Sequence, residues 1–275
     1  MRLALCHYSF HRRWKDENWD IDRLTDEVAA LEIDGIDYHA RLLGTQEGTV
    51  DRIRQALRRT GLTLAGFSLS TNFNLADSQA FDAHIEDTLS WMRLAETLQA
   101  PACRIFGGSA DRRDPNAVEE GLKRVLHALK LLAPEAERMG LVLALENHGG
   151  LPCTGEEQVR VIETVNSPAV RATVDVGNYM QGGQDPVAGT QAAARYAAYV
   201  HVKDNRKLDA PDERGRMHQA CTIGDGAVDI PACLKVLQTA GFDDFVALEY
   251  EGTEPEQTGV PRSVAYMKQV LADLR

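Results

Sequence analysis

The sequence lacks long apolar runs, has few cysteines and contains fewer basic than acidic residues, and each of these features excludes a class of protein. None of its apolar stretches approaches the ~18 residues that a membrane-spanning helix needs. The opening segment, MRLALCHYSF, has neither the apolar core nor the small-residue cleavage site of a secretory signal. The sequence alone therefore predicts a cytoplasmic protein without a membrane partner.

The cysteine pattern indicates the cellular compartment, and the net charge indicates the class of binding partner. Five cysteines are widely spaced without a Cys-x-x-Cys pair, which is typical of a reduced, intracellular protein. The 41 acidic and 30 basic residues give a formal net charge of −11. Such a charge repels nucleic acids and anionic membranes at long range, so the expected partner is a small molecule.

What the sequence does contain is a regular alternation of short apolar runs and longer amphipathic stretches. This alternation is typical of repeated βα units around a parallel sheet. A chain of 275 residues, 44% of them hydrophobic, can bury a core of that size. The eight predicted strands are 2–7, 35–39, 63–69, 102–106, 142–146, 172–175, 199–203 and 245–249.

Several predicted helices have recognisable ends. Asp77 precedes a periodic run, Asp114 is followed by proline before another, and Thr154 stands three residues before Glu157, the spacing of a capping box. The segment 204–227 is different, because it is polar, rich in glycine and too long for an ordinary βα loop. Loops of this length are usually lids, binding loops or disordered.

Both a closed barrel and an open doubly wound sheet show this alternation. The G-x-G-x-x-G sequence that follows the first strand of a dinucleotide-binding sheet is absent. We therefore predict the α/β class and a single (β/α)₈ TIM barrel domain over residues 1–275.

Four successive predicted strands, the fifth to the eighth, end in residue types that bind metals. In a (β/α)₈ barrel the carboxyl ends of all strands meet at one mouth, so that such residues become neighbours. An unpaired charge behind an apolar run would cost several kcal/mol, and a shared cation removes that cost. Three carboxylates and one imidazole suit Mn²⁺ or Mg²⁺ better than a thiolate-type zinc site. The four predicted ligands are Glu146, Asp175, His201 and Glu249.

The segments ALENHGG, TVDVGN, VHVKDN, IGDGAVDI and ALEYEG, in this order, resemble the xylose isomerase-like TIM barrels, a family of sugar phosphate isomerases and epimerases. The resemblance covers essentially the whole chain. It implies one divalent metal on the four predicted ligands, most often manganese, with Mg²⁺, Co²⁺ or Zn²⁺ as alternatives. It also implies that Glu146 and Glu249 are the catalytic acid/base pair, and it is compatible with a homodimer or homotetramer.

The resemblance favours a sugar isomerase or epimerase that acts on a ketose or related keto-sugar. A metal bound to adjacent oxygens stabilises the enediolate that forms when the neighbouring C–H proton leaves. The same intermediate can expel a β-hydroxyl, so a lyase that dehydrates an inosose-type keto-polyol or a 3-keto sugar is the main alternative. A non-catalytic barrel that binds metal or sugar is the alternative of another class. A DNA endonuclease is disfavoured by the net charge.

Strand periodicity indicates which further residues face the substrate. Residues two positions beyond a ligand point to the same side of the strand, which selects His148, Lys203 and Glu251. For Lys203, an ion pair with Asp204 or with a ligand carboxylate is equally compatible with the sequence. Three more polar residues lie in or at the end of other strands and are predicted to line the pocket: His7, His39 and Arg104.

The sequence departs from the family pattern at two positions. Epimerases of the family often have a histidine three residues after the aspartate ligand, where this chain has Asn178, which can donate to a hydroxyl but cannot carry a proton. An arginine that follows the histidine ligand in the family is matched only loosely, by Arg206 or Lys207. In the same long segment, Arg214 and Arg216 are further candidates for binding a phosphate or carboxylate, although such charges are usually solvated.

Overall fold

A computed structural model describes residues 1–44, 46–213 and 215–274. Eight parallel strands close into a barrel, which confirms the predicted architecture. The barrel strands are β1 Arg2–Cys6, β2 Gly35–His39, β3 Thr63–Ser68, β4 Cys103–Phe106, β5 Leu143–Glu146, β6 Val170–Asp175, β7 Ala197–Val202 and β10 Phe245–Leu248, while β8 and β9 form a separate hairpin described below. Around the barrel they neighbour one another in the order β1-β10-β7-β6-β5-β4-β3-β2.

Helices surround the barrel in the described part of the chain. The α-helices are α1 His11–Asp16, α2 Ile21–Ala29, α3 Ala40–Leu43, α4 Thr49–Thr60, α5 Ser78–Leu98, α6 Pro115–Met139, α7 Gly155–Val165, α8 Pro186–Ala193, α9 Ile230–Thr239 and α10 Glu256–Asp273. Short 3₁₀ turns are formed by His7–Phe10, Asn178–Gly182 and Ala194–Tyr196. None of the described helices is both long and apolar enough to cross a membrane.

The predicted helix starts are confirmed by their capping contacts. The side chain of Asp77 accepts a hydrogen bond from the third residue of α5, and Asp114 caps α6 in the same way with proline at its first position. Thr154 accepts from the amide of Glu157 at the start of α7. The carboxylate of Glu157, however, accepts from the amide of Cys153 rather than closing a capping box on Thr154.

Alternate residues of each strand point into the barrel, and the size of these residues changes along its axis. Near the amino ends, two aromatic rings, Tyr199 and Phe245, pack among buried alanines. The guanidinium of Arg2 covers the ring of Phe245 at 3.9 Å. At the carboxyl ends the inward positions become polar, as they must if a site lies there. The alanines of the inner layer are Ala4, Ala65, Ala102, Ala144 and Ala247.

The strand pairing is regular except at two places. One register shift lies between Ile36 and Asp37, where β2 pairs with β3, and the other between Ala172 and Thr173, where β6 pairs with β7. A shift of this kind inserts a residue on one strand and changes the direction in which neighbouring side chains point.

The segment 204–227, predicted to be irregular, contains an antiparallel hairpin, β8 Asn205–Lys207 and β9 His218–Ala220. Asp204 organises its base, because the buried carboxylate accepts hydrogen bonds from four backbone amides, those of residues 205, 224, 226 and 228. Gly226 is required for this arrangement, since a Cβ there would lie 2.0 Å from Asp204 Oδ1. The second glycine of IGDGAVDI thus allows the backbone to approach a carboxylate closely.

Replacing Asp204 with asparagine is expected to lower the free energy of unfolding by about 3 kcal/mol. The side-chain NH₂ group of asparagine would face two backbone N–H donors that now bond to a carboxylate oxygen, and a donor cannot accept their hydrogen bonds. Urea denaturation measures this loss. The matched control is Asp209→Asn, an exposed aspartate of the same segment, for which a change within about 0.5 kcal/mol is expected. Equal effects of the two substitutions would contradict the role of Asp204.

Candidate metal centre and active site

The four predicted ligands meet at the carboxyl ends of four consecutive barrel strands. One ligand atom from each of Glu146, Asp175, His201 and Glu249 lies within 4.8 Å of all the others. The four side chains are buried, with at most 4% of any residue exposed. Residues separated by up to about a hundred positions in sequence are thus brought together by the closure of the sheet, as expected for this architecture. These four residues are called the ligand cluster below.

Asp175 is oriented by the backbone around it. Its Oδ1 accepts hydrogen bonds from the amides of Gly177 at 2.9 Å and Asn178 at 3.1 Å. The side chain of Asn147, at the end of β5, donates to the carbonyl of Asp175 and accepts from its amide, both at 2.9 Å. The ends of β5 and β6 are therefore tied together, and Oδ2 of Asp175 is left pointing into the cluster.

Two buried cations flank the ligand cluster on different sides. The Nε of Arg104, from β4, lies 3.3 Å from Glu146 Oε2. The Nζ of Lys203 lies 3.2 Å from Glu249 Oε2, 3.4 Å from Asp175 Oδ2 and 2.8 Å from Glu251 Oε1. The ion pairs of Lys203 that the sequence left open are therefore with ligand carboxylates and Glu251, whereas Asp204 binds backbone amides instead.

His201 connects the cluster to the barrel interior. Its Nδ1 lies 2.9 Å from Glu249 Oε2 and 3.6 Å from Glu146 Oε1. Its Nε2 lies 3.3 Å from Oδ2 of Asp37, a buried residue of β2. Both ring nitrogens therefore face carboxylates.

This crowding changes the protonation of the cluster. Burial raises the pKa of Asp175 to about 8. Lys203 lowers this pKa, whereas the carboxylates of Glu146 and Glu249 raise it further. Burial alone would lower the pKa of His201, but Glu249 and the other nearby carboxylates raise it well above its usual value. Protein prepared without metal should therefore carry a proton on Asp175 and on both nitrogens of His201 at neutral pH.

The two glutamates respond in the opposite direction. Burial alone would raise the pKa of Glu146, but Arg104 and then His201 hold it below its ordinary value. For Glu249 the same burial is outweighed by Lys203 and His201, which lower its pKa. Both glutamates are consequently ionised across the neutral range.

The residues fit a divalent cation. Glu146 Oε2 and Asp175 Oδ2 are buried, yet neither accepts a hydrogen bond from any residue that the structure describes. Arg104 and Lys203 lie beside these two oxygens without hydrogen-bonding to them, so both oxygens keep a free site for an ion. Three carboxylates and one imidazole are donors that such ions bind readily. The cluster can therefore hold a metal, and its donors do not by themselves identify the ion.

Because ligands bind metal as bases, loading protein stripped of metal should release close to two protons at about pH 7, one from Asp175 and one from Nδ1 of His201. The apparent affinity should rise about 100-fold per pH unit below about pH 8, and about tenfold per unit above it while only His201 remains protonated. Calorimetry in two buffers of different ionisation enthalpy counts these protons. An affinity that does not change with pH would contradict the assigned protonation.

Two predicted pocket residues are buried imidazoles close to the mouth. His7 has no hydrogen-bond partner at either ring nitrogen, and His39 has none at Nδ1, among the described residues. Burial lowers the pKa of His7 to about 3 and that of His39 well below its usual value. Both rings are therefore neutral, and each can donate or accept a hydrogen bond. Trp14 packs against His7 with ring centroids 4.3 Å apart.

The other predicted pocket residues lie at different distances from the cluster. Asn178 donates to Glu146 Oε1 at 3.2 Å. His148 stacks on Phe106, with ring centroids 4.0 Å apart. Arg206, by contrast, is exposed on hairpin strand β8, outside the buried cluster. Arg214 lies outside the described residues.

A cavity of about 420 Å³ opens beside the cluster. Lys203 and Glu251 line one side of it, and Met180 and Met217 come from the turn after β6 and from the hairpin segment. This volume is within the range of small-molecule sites. A larger cavity of about 530 Å³, between α3 and α5, is lined by none of the cluster residues.

A family model described as xylose isomerase-like TIM barrel matches residues 25–270. The chain belongs to this family. Two curated relatives of this xylose isomerase-like protein are named for different reactions. The inosose dehydratase of Lacticaseibacillus casei is 22% identical over 147 residues, which cover 50% of this chain and 49% of the relative. The inosose isomerase of Bacillus subtilis (strain 168) is 26% identical over 159 residues, which cover 57% of this chain and 56% of the relative.

This xylose isomerase-like chain thus spans about half the length of these curated relatives, both of which are enzymes of a small sugar-like substrate. A solved structure of the IOLI protein with a bound zinc atom superposes with a TM-score of 0.77 at 20% identity, covering 100% of this chain and 98% of that protein. The likeness shows that the fold is shared along the full chain.

Proposed function

We propose that this chain is a divalent-metal-dependent isomerase or epimerase of a small keto-sugar, with Glu146, Asp175, His201 and Glu249 as the metal ligands. The observation that carries the proposal is the ligand cluster itself, in which four hard donors are buried within 4.8 Å of one another. An ion held there would polarise the carbonyl of the substrate and stabilise the negative charge that develops on it.

In this proposal Glu146 and Glu249 move the proton. Both are ionised, and each is paired with a different cation beside the cluster. The Nζ of Lys203 holds Glu249 in place and also touches Asp175, while Arg104 holds Glu146. Asn178 donates to Glu146 and cannot itself carry a proton. The proposal therefore assigns proton removal and return to the two glutamates.

Several neutral or partly unsatisfied groups would orient the sugar. Nη2 of Arg104 has no hydrogen-bond partner among the described residues, although its Nε and Nη1 are held by Ser68 and the carbonyl of Leu69. It is positioned to bind a substrate oxygen. The neutral rings of His7 and His39 suit hydroxyl groups, which both donate and accept. The rest of the substrate would extend towards Lys203, Glu251 and the adjoining cavity.

Dehydration on the same site is the second candidate, and the inosose dehydratase among the relatives favours it. The two reactions share proton removal and differ in what happens next. Isomerisation and epimerisation return a proton to carbon, whereas dehydration expels a β-hydroxyl as water.

The test is to incubate the protein and Mn²⁺ with ketoses, ketose phosphates, inososes and 3-keto glycosides in D₂O. Isomerase or epimerase activity should give products with one deuterium on carbon and no loss of water, while dehydration lowers the mass by one water. The control is the same protein stripped of metal, which should turn over nothing. Stoichiometric metal binding without conversion of any substrate in the panel would instead support a non-catalytic barrel.

A further inference from the structure

A buried carboxylate outside the ligand cluster lies directly behind one of its members. Asp37, in β2, is fully buried, and its Oδ2 lies 3.3 Å from Nε2 of His201. The opposite ring nitrogen, Nδ1, faces Glu249 and Glu146. The imidazole therefore bridges Asp37 and the candidate metal centre.

Asp37 is itself held by two hydroxyl groups from other strands. Ser68, at the end of β3, donates to Asp37 Oδ2 at 2.6 Å, and Tyr199 of β7 donates to the same oxygen at 3.1 Å. Together with His201, three donors converge on one carboxylate oxygen. All of these side chains are buried, so each hydrogen bond is made away from water and strongly restricts the geometry.

The backbone irregularities of the barrel coincide with this network. The register shift in β2–β3 places Asp37 opposite Gly66, and the shift in β6–β7 places Thr173 opposite Tyr199. A Cβ at Gly66 would lie 2.8 Å from the ring of Tyr199, so only glycine leaves room for that ring. Irregular strand pairing of this kind is common next to active sites, where it changes the direction in which a side chain points.

We propose that Asp37 is a positioning residue for the metal ligand His201. By accepting the Nε2 proton it fixes the tautomer and orientation of the imidazole and leaves the Nδ1 lone pair directed into the ligand cluster. Ser68 and Tyr199 fix Asp37 in turn. The inference rests on the proposed function, because it assigns a partner to one of the proposed ligands.

Cys6, Asp37 and His201 also lie close enough together to be ligands of an ion of their own. Asp37 Oδ1 accepts no hydrogen bond from any described residue, but His201 would then have to bind two ions through its two nitrogens and lose both ring protons. The convergence of donors on Asp37 favours the positioning role. The stoichiometry of binding distinguishes the two arrangements.

The first experiment measures Mn²⁺ and Co²⁺ binding by calorimetry to wild-type protein stripped of metal and to Asp37→Asn. The wild type should bind one ion per chain, and the variant should bind it about 10- to 100-fold more weakly. Cys6→Ser is the matched control, because it changes the same buried region without touching a hydrogen bond of His201, and its affinity should stay within about twofold. Two ions per wild-type chain, or equal affinities of wild type and Asp37→Asn, would overturn the inference.

The second experiment reports on the ring directly. In zinc-loaded protein labelled with ¹⁵N-histidine, His201 should show a protonated Nε2 and a metal-bound Nδ1, and Tyr199→Phe should keep this tautomer while weakening binding by about 3- to 10-fold. The milder Tyr199→Phe also serves if Asp37→Asn does not fold. A proton on Nδ1 in the loaded wild type, or unchanged affinity in Tyr199→Phe, would count against the assignment. A wild type that binds no metal would refute the proposed function instead.

Discussion

Replacing Glu249 with glutamine is expected to lower kcat by about 10²- to 10⁴-fold, the usual contribution of a positioned acid/base group. The amide has the same shape but cannot take up the proton that leaves the substrate. Binding of the sugar should be largely preserved, because the contacts proposed for it involve other side chains. Steady-state kinetics at saturating metal, together with the dissociation constant of the substrate measured on the inactive variant, separate the two effects.

A matched control lies on the loop after the same strand. Glu254 pairs with Arg262 and Thr222 away from the cluster, so Glu254→Gln should retain the kcat of the wild type. Unchanged turnover in Glu249→Gln at saturating metal would reject the assignment of Glu249 as the base. A loss of turnover that excess metal restores would show that Glu249 acts as a ligand only.

Replacing Arg104 with methionine should destabilise protein stripped of metal by about 3–5 kcal/mol, because it removes the cation beside the buried carboxylate of Glu146. In protein saturated with Mn²⁺ the loss should be smaller, since the ion compensates the same charge. By linkage, Arg104→Met should also bind the ion more tightly than the wild type does. Urea denaturation with and without metal, and calorimetry, measure these three quantities.

The control for Arg104 is Arg2→Met. Arg2 is exposed, pairs with Asp244 and covers Phe245 at the other end of the barrel, so its loss should cost about 1 kcal/mol or less, whatever the metal content. If Arg104→Met is equally destabilised with and without metal, the guanidinium contributes packing rather than charge, and its link to Glu146 is wrong.

The alternation of apolar runs predicted the eight strands to within about two residues, and the absence of a dinucleotide-binding G-x-G-x-x-G sequence favoured the barrel over an open sheet. The ligand cluster could be proposed for a similar reason. Glu146 and Asp175 end their strands in the way that the sequence shows, and Glu249 follows its strand directly. Convergence at the mouth then follows from the architecture alone.

The role of Asp37 could not be predicted from the sequence, for physical reasons. It lies within a strand, two residues before the end, where periodicity points to the barrel interior but not to a partner. Its contact with His201 joins residues 164 positions apart and depends on two register shifts that no local pattern marks. A charged residue at an inward position of a buried strand is the one signal that was available.

The hairpin could not be predicted either. Strands β8 and β9 are three residues each and lack alternating apolar residues, so they depend on the amides gathered by Asp204 rather than on a hydrophobic face. Arg206 and Lys207, which match an arginine of the family only loosely, are both exposed on β8.

The packing of Tyr199, Phe245 and five alanines inside the barrel has a consequence for how ligands enter the protein. Because these side chains fill the far end of the barrel, the ion and sugar of the proposed function would share the entrance at the carboxyl ends, with the ligand cluster below the proposed sugar site. Under the proposed function, the ion would therefore bind before the sugar, and the bound sugar would slow the release of the ion.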